Sequence, residues 1–165
     1  MTTEYLRDDL RFDEAIGGEP VLEVYPDPKS GAEPYTVGFG HTGPDVHLGD
    51  TWTSDECTAA LDSDIGIATR ALDEHLPWWR QHSDLRQDVL ANMTFNMGVG
   101  KVEKFEKMIA ALQRYDYETA ANEMLDSQWA REDVGDDPPS PEWPVGQRAY
   151  RLSQQMRTGE RATPI

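Results

Sequence analysis

The chain is short of cysteine, of lysine and of long apolar runs, and each shortage excludes a class of protein. Its one cysteine, Cys57, allows neither an internal disulfide framework nor a multi-cysteine zinc site. Only 15 basic residues, four of them lysine, oppose 31 acidic residues, which gives a net charge of −16. Nucleic-acid binding and attachment to a membrane surface both need clustered basic residues, so we expect neither. There is no run of about 18 apolar residues and no basic-then-apolar signal pattern, so we expect a soluble protein made in the cytoplasm, without membrane insertion.

The residues that are present suit one compact domain, in one or two lobes, and their charge is uneven. Five Trp, six Tyr and four Phe in 165 residues supply a core. Residues 1–53 and 116–143 each carry a net charge of −8, whereas residues 144–165 carry +3. A helix with arginines on its solvated face would explain the basic block. The many aspartates and few lysines favour adaptation to high salt, where charge repulsion is screened.

Apolar spacing and turn residues predict an α+β protein, with a small N-terminal sheet followed by helices. Strands are predicted at 21–25 and 35–41, which are rich in β-branched and aromatic residues. Thr53–Glu56 fits a capping box at the start of a long helix. The prolines exclude regular helix over 132–144, which is predicted to be a loop. The predicted helices cover 3–14, 54–76, 83–97, a segment around 105–112, a segment begun by Asp116, and 145–157.

Carboxylates are abundant, so we choose candidate catalytic carboxylates by their position in the predicted helices and turns. Glu14 lies four residues after Leu10 at the end of the first helix. Its position allows a partly desolvated carboxyl of raised pKa, suited to a general acid, but position alone favours a solvated charge at a helix end. Asp27 lies between two prolines in a turn, where aspartate usually caps its own backbone. The β-propensity of threonine alone explains Thr36.

The remaining reactive side chains predict neither a metal nor a cofactor. The four histidines have no ligand-like spacing, and His41 is typical of a structural hydrogen-bond partner. Cys57 has the helical context of a packing residue. The chain contains no phosphate-binding loop, dinucleotide fingerprint or serine-hydrolase elbow.

Four motifs occur in order along the chain: Leu10-Arg-Phe-Asp-Glu14, Tyr25-Pro-Asp27, Tyr35-Thr-Val-Gly-Phe-Gly-His41 and Phe95-Asn-Met-Gly98. Together they resemble the phage-type lysozymes, the muramidase endolysins of tailed bacteriophages, which are glycoside hydrolases. The resemblance implies a single lysozyme-like domain over residues 1–165. Its expected parts are an N-terminal lobe over about 15–53, a connecting helix over about 54–76, and a helical lobe over about 83–160 packed with helix 3–14.

The resemblance also implies roles for individual residues. Glu14 resembles the general acid, Asp27 the carboxylate that holds or activates the attacking water, and Thr36 the hydroxyl that positions this water. Such inverting enzymes hold their two carboxyl groups roughly 6.5–9.5 Å apart. The other implied residues are Phe95 and Asn96, which touch substrate in the cleft; Arg148, which approaches the acid; and the structural pair His41 and Asp64.

The chain departs from the family pattern near the acid. Twelve residues separate Glu14 from Asp27, more than the family usually has, and Ala15 replaces the glycine that commonly follows the acid. Glu19 lies closer to Asp27 and is a rival general acid. We prefer Glu14 because the Leu-Arg-Phe-Asp-Glu segment matches the helix end, whereas Glu19 falls in the extra segment.

Three functions are compatible with these motifs. The first is a muramidase that cleaves the β-1,4 bond between N-acetylmuramic acid and N-acetylglucosamine. The second is an inactive lysozyme-fold module that binds the wall or belongs to a virion, and the third is a chitinase-like hydrolase. The muramidase would act on bacterial peptidoglycan as a monomer, with a basic strip of Arg148, Arg151 and Arg157 beside the cleft. It would either wait in the host cytoplasm for a holin to open a path to the periplasmic wall, or travel in the virion.

Overall fold

The computed structural model describes residues 1–134 and 148–164. Within these residues the architecture is α+β, which confirms the predicted class. The sheet consists of β1 (Val21–Tyr25), β2 (Thr36–Gly38) and β3 (His41–Thr42). The helices are α1 (Tyr5–Glu14), α2 (Ser54–His75), α3 (Asp84–Met97), α4 (Val99–Val102), α5 (Glu106–Gln113), α6 (Tyr117–Leu125) and α7 (Arg148–Thr158). Short 3₁₀ turns cover Ile16–Gly18 and Pro77–Gln81, and a π turn covers Trp129–Asp133.

The chain forms two compact units, and the division between them falls inside α2. The N-terminal unit comprises Glu4–Ile67, and the C-terminal unit comprises Met1–Thr3 with Ala68–Ile165. The first residues belong to the C-terminal unit because the Thr3 backbone N–H donates to Asp88 Oδ1 of α3 at 2.8 Å. The more detailed lobe boundaries given above stay a prediction.

The N-terminal unit is built on an antiparallel sheet in the order β1-β2-β3. Tyr25 of β1 is opposite Thr36 of β2, and Val37 of β2 is opposite His41 of β3. Apolar side chains from the sheet, the loops, α1 and α2 form its core: Leu6, Leu10, Val24, Val37, Phe39, Val46, Cys57 and Leu61. The packing interpretation of Cys57 agrees with its 1% exposure, and burial followed by the neighbouring Glu56 charge raises the pKa of its thiol.

The predicted single strand over 35–41 is wrong, because the chain reverses direction within it. Gly38 and Gly40 have φ of 67° and 83°, a left-handed region that disfavours other residues. These two glycines allow a tight turn between β2 and β3. The Gly-Phe-Gly sequence therefore marks a hairpin turn, and it places His41 beside Val37.

A capping box starts α2, as the sequence predicted. The Thr53 backbone N–H donates to Glu56 Oε2 at 2.7 Å, and the Glu56 N–H donates to Thr53 Oγ1 at 3.2 Å. Asp116 caps α6 with a single bond, in which its carboxylate accepts from the Thr119 N–H at 3.1 Å. Ser83 stands before α3 but makes no side-chain cap.

The C-terminal unit is a helical bundle in which α6 packs on α5 and α7, and α7 packs on α3. Its core consists of apolar side chains that are almost fully buried: Leu72, Trp79, Val89, Leu90, Met93, Val102, Met108, Leu112, Ala120, Ala121, Met124, Leu152 and Met156. The sequence missed α4 and the 3₁₀ turn at 77–81, which are short and have no period of their own. The loop predicted over 132–144 is wrong at its start, because residues 132 and 133 end the π turn. Its residues 135–144 and the predicted start of the last helix at 145–147 lie outside the described residues.

Charge is concentrated in the N-terminal unit. Residues 4–67 hold 15 acidic and 3 basic residues, a net charge of −12, whereas the rest of the chain carries −4. Within the described ranges, no helix is both long and apolar enough to cross a membrane.

Candidate active site

Glu14 is the last residue of α1, and its carboxylate lies against the β2–β3 turn. A Cβ placed on Gly40 would lie 3.4 Å from Glu14 Oε2, so the two are in close contact range. One turn earlier in α1, the Arg11 guanidinium lies 5.3 Å from the centre of the Phe39 ring. Glu14 is half-buried, whereas Glu19 is exposed in the link before β1. Of these two carboxylates, Glu14 is therefore the one held against the sheet.

Asp27 lies in the turn after β1, and its carboxylate accepts a hydrogen bond from the backbone N–H of Ser30 at 2.9 Å. Backbone bonds fix the turn itself, because the Asp27 N–H donates to the Ala32 carbonyl at 2.9 Å and the Gly31 N–H donates to the Asp27 carbonyl at 2.8 Å. The hydrogen bonds from Ser30, with a smaller effect of the nearby Lys29 charge, lower the pKa of Asp27. Asp27 is therefore ionised at neutral pH, as a proton acceptor must be.

Thr36 begins β2 opposite Tyr25, two residues before Asp27. Because the two strands are antiparallel, the end of β1 and the start of β2 lie at the same end of the strand pair. Thr36 is the first residue of β2 at this end, and Asp27 follows β1 there. Glu14 meets the sheet at the opposite end of β2, beside the turn. The three-residue length of β2 corresponds to about 7 Å from its first to its last Cα. The N-terminal unit thus carries all three predicted catalytic side chains, with the acid candidate apart from the other two.

His41 lies between two carboxylates in the N-terminal unit. Its Nδ1 is 2.8 Å from Asp64 Oδ2 on α2, and its Nε2 is 3.2 Å from both oxygens of Asp45. The indole of Trp52 lies 5.6 Å away, ring centre to ring centre. Burial of the ring lowers the pKa of His41, but the hydrogen bonds and charges of Asp64 and then Asp45 outweigh it, so the pKa is raised overall. Sequence reasoning missed Asp45, although its spacing of four residues from His41 was a usable signal.

We expect the stability contributed by His41 to fade as the pH rises. A histidine whose pKa is raised on folding stabilises the native state fully below its unfolded pKa, about 6.5, and loses that effect as the pH passes its folded pKa. In denaturant unfolding between pH 5.5 and 8.5, the free-energy difference between wild type and His41→Asn should shrink with rising pH. Leu48→Ala, at an exposed residue of the same unit, removes no titratable group and is the control; it should differ from wild type by an amount that stays nearly constant. An equal pH dependence for the two variants would contradict this role of His41.

The C-terminal unit holds Phe95 and Asn96 at the end of α3. Phe95 is half-buried and Asn96 is exposed. The Trp129 indole N–H donates to Asn96 Oδ1 at 2.8 Å, which fixes the orientation of the amide. Trp129 was missed from the sequence, because nothing in the local pattern links two residues 33 positions apart.

Arg148 is buried at the start of α7, and its Nε donates to Asn92 Oδ1 at 2.9 Å. Arg151 is also buried, with 1% of its surface exposed. Arg157 is bound to Glu118 at 2.9 Å and to the side chain of Asn122 at 2.7 Å. The predicted basic strip, and the alternative of arginines on a solvated face, are therefore wrong. Arg148 and Arg157 bind side chains of the C-terminal unit that the sequence did not pair with them, and Arg151 is buried.

Acid-base chemistry is what these side chains can support. The N-terminal unit offers a half-buried glutamate, an ionised aspartate and a threonine hydroxyl. Nowhere in residues 1–134 or 148–164 do three or more histidine, cysteine or acidic side chains cluster in a way that could hold a metal ion. An oriented asparagine amide and a half-buried phenylalanine in the C-terminal unit are suited to contact a polar ligand such as a sugar or a peptide.

Comparison with known proteins gives the family. The family model described as phage lysozyme matches residues 19–137, a range that contains Asp27, Thr36 and Asn96 but not Glu14. The chain is 26% identical to the probable T4-type lysozyme 1 of Dictyostelium discoideum over 149 residues, covering 75% of this chain and 84% of that protein. It is 32% identical to the SAR-endolysin of Enterobacteria phage P21 over 66 residues, covering 40% of this chain and 39% of that protein.

A virion protein is also among the relatives. The chain is 35% identical to the pre-baseplate central spike protein Gp5 of Enterobacteria phage T4 over 86 residues. That match covers 50% of this chain but only 15% of the spike protein. The phage lysozyme model matches well over half of the residues of this chain. The chain therefore belongs to the phage lysozyme family, a family of lysozyme-type glycoside hydrolases.

Proposed function

We propose that the protein is a muramidase, which hydrolyses the β-1,4 bond between N-acetylmuramic acid and N-acetylglucosamine in peptidoglycan with inversion at the anomeric carbon. The observation that carries this proposal is the register of the N-terminal sheet, in which Thr36 pairs with Tyr25, two residues before the ionised Asp27. Family membership supplies the substrate class.

In the proposed mechanism, Glu14 donates its proton to the glycosidic oxygen as the bond to the anomeric carbon breaks. Thr36 holds a water molecule on the opposite face of the sugar, and Asp27 accepts a proton from it as its oxygen bonds to the anomeric carbon. One water is consumed, and the proton balance is restored when Asp27 returns a proton to solvent and Glu14 regains one. Inversion requires room for a water between the carboxyl groups, and the placement of Glu14 and Asp27 at opposite ends of β2 is compatible with that requirement.

The remaining assignments follow from the same proposal. Phe95 and Asn96 would contact the substrate, Arg148 would orient Glu14, and the His41–Asp64 pair would support the sheet. Residues 1–165 would act as one monomeric lysozyme domain. As an endolysin, the protein would reach the periplasmic wall from the host cytoplasm with the help of a holin; as a virion protein, it would arrive with the particle.

A second candidate is an inactive lysozyme-fold module of a virion. Two observations favour it: the similarity to a central spike protein, and a family match that begins after Glu14. This candidate requires that the chain bind peptidoglycan without releasing products.

Product analysis on purified Gram-negative sacculi separates these candidates. We expect released muropeptides whose reducing end is N-acetylmuramic acid, with the α-anomer formed first in a proton NMR time course. Chitin oligosaccharides are the control substrate and should be cleaved far more slowly. Binding to sacculi without any product would favour the inactive module, reducing-end N-acetylglucosamine would identify a different bond, and faster cleavage of chitin would favour the chitinase.

A further inference from the structure

A groove in the C-terminal unit gathers most of the lysines of this lysine-poor chain. It has a volume of about 440 Å³ and is lined by segments between residues 101 and 129. Three of the four lysines, Lys101, Lys104 and Lys107, lie along it. We call it the lysine groove. In a chain with a net charge of −16, this is a local concentration of lysine, and the three acidic residues of the lining bring its formal net charge to zero.

The floor of the lysine groove is aromatic. Phe105 and Trp129 meet edge to face, with ring centres 6.3 Å apart at 77°. Trp129 is also the residue that donates to Asn96 Oδ1 at 2.8 Å. One indole thus connects the lysine groove with Asn96, to which the family resemblance assigns a substrate contact.

Two lysines of the groove, Lys104 and Lys107, are available to an external ligand. Most arginines of the C-terminal unit are bound within the fold; for example, Arg80 binds Asp73 at 2.7 Å and Arg157 binds Glu118 at 2.9 Å. Lys104 and Lys107 are exposed, and in the described part of the chain no hydrogen bond or ion pair holds either ammonium group. An anion entering the groove would therefore meet two cations that the fold does not already use.

The lining of the groove carries both signs of charge, which limits the class of ligand that the groove can bind. Glu106, Glu123 and Asp126 also line it, and Asp126 is bound to Arg131 at 3.0 Å. A uniform polyanion such as a phosphate polymer would be repelled by the two glutamates. A short peptide that carries free carboxylates and an amino group suits both signs of charge, with its apolar atoms on the aromatic floor.

We propose that the lysine groove makes the protein selective for peptidoglycan whose stem peptides carry free carboxylates, with Lys104 and Lys107 as specificity-determining residues. The proposal rests on the proposed function, since it takes peptidoglycan as the ligand. The lysines bind carboxylates and act away from the reacting atoms, so their loss should raise KM and leave kcat nearly unchanged. Amidation of the stem carboxylates removes the same charges from the ligand side and should have the same effect.

Co-sedimentation with sacculi at 4 °C tests the groove without requiring hydrolysis. Native sacculi are compared with sacculi whose carboxyls have been converted to amides by carbodiimide and ammonia. We expect Lys104→Gln/Lys107→Gln to weaken binding to native sacculi about three- to tenfold, as two exposed ion pairs would. Amidation should weaken binding of the wild type to a similar extent, and it should add little to the loss in the variant.

The control is Arg70→Gln/Arg114→Gln, which removes two charges from exposed arginines of the C-terminal unit that do not line the groove. It should bind native sacculi within about twofold of the wild type. The proposal is overturned if this control loses as much binding, if the lysine variant still prefers native sacculi as the wild type does, or if the wild type does not bind. Thermal melts of both variants establish that they are folded.

Product release from the same sacculi separates this proposal from the proposed function. Lysine-dependent binding without products would disprove the muramidase and leave the groove assignment standing. Products released with a KM that is the same for wild type, lysine variant and amidated sacculi would disprove the groove assignment alone.

Discussion

Replacing Glu14 with glutamine should reduce the rate of peptidoglycan hydrolysis by about 10²–10⁴-fold. Glutamine keeps the shape of the side chain at the end of α1 but has no acidic proton to give to the glycosidic oxygen. The loss should appear in kcat, because the proton is transferred only as the bond breaks. The measurement is muropeptide release from sacculi at saturating substrate, with circular dichroism to show that the variant is folded.

Glu19→Gln is the matched control, since it makes the same chemical change five residues later. Glu19 is exposed in the link before β1, whereas Glu14 lies against the β2–β3 turn, so the Glu19 variant should retain wild-type activity. If Glu19→Gln is the inactive variant and Glu14→Gln is active, the general acid has been misassigned. Full activity in both would mean that neither glutamate is the acid.

Gly38→Ala should lower the free energy of unfolding by about 2–5 kcal/mol, which is more than we expect for Gly31→Ala. Gly38 has φ of 67°, where an L-residue costs about 1–2 kcal/mol. Its Cβ would also lie 3.0 Å from Cys57 Cβ and 3.1 Å from Cys57 Sγ, at the buried start of α2. Overpacking of this kind adds about 1–3 kcal/mol. The measurement is the free energy of unfolding from a urea titration.

Gly31→Ala separates the two contributions to that effect. Gly31 has the same φ of 67°, but a Cβ there would meet nothing within 4 Å. This variant should lose only the backbone cost, about 1–2 kcal/mol. Equal losses at the two positions would show that Cys57 yields without cost, so that packing against α2 does not explain the glycine of the Thr-Val-Gly motif.

Structural features that depend on residues close in sequence could be predicted, whereas those that depend on residues far apart in sequence could not. The Thr53–Glu56 capping box and the Asp116 cap depend on residues three positions apart, and both occur as expected. The strand predicted over 35–41 was wrong because the flanking residues favour β structure on both sides of Gly38 and Gly40. The positive φ of these two glycines, which reverses the chain, cannot be read from propensity.

The arginines of α7 show the same limit for the candidate site. Arg148 binds Asn92, 56 residues away, and Arg157 binds Glu118, 39 residues away. Charge counting along the chain predicts exposed cations there, because local sequence contains no sign of these distant partners. The order of the motifs could identify Glu14, Asp27 and Thr36 as candidates, but only the sheet register places Asp27 and Thr36 toward the same end of the β1–β2 pair.

The concentration of acid in residues 4–67 has a kinetic consequence. In the proposed function the ligand is an anionic wall polymer, and a unit with a net charge of −12 approaches it against its own electric field, so we expect slowed encounter. The range of that field falls from about 10 Å at 0.1 M salt to about 3 Å at 1 M. We therefore expect its association rate with the wall polymer to rise with ionic strength, from dilute buffer to concentrated salt.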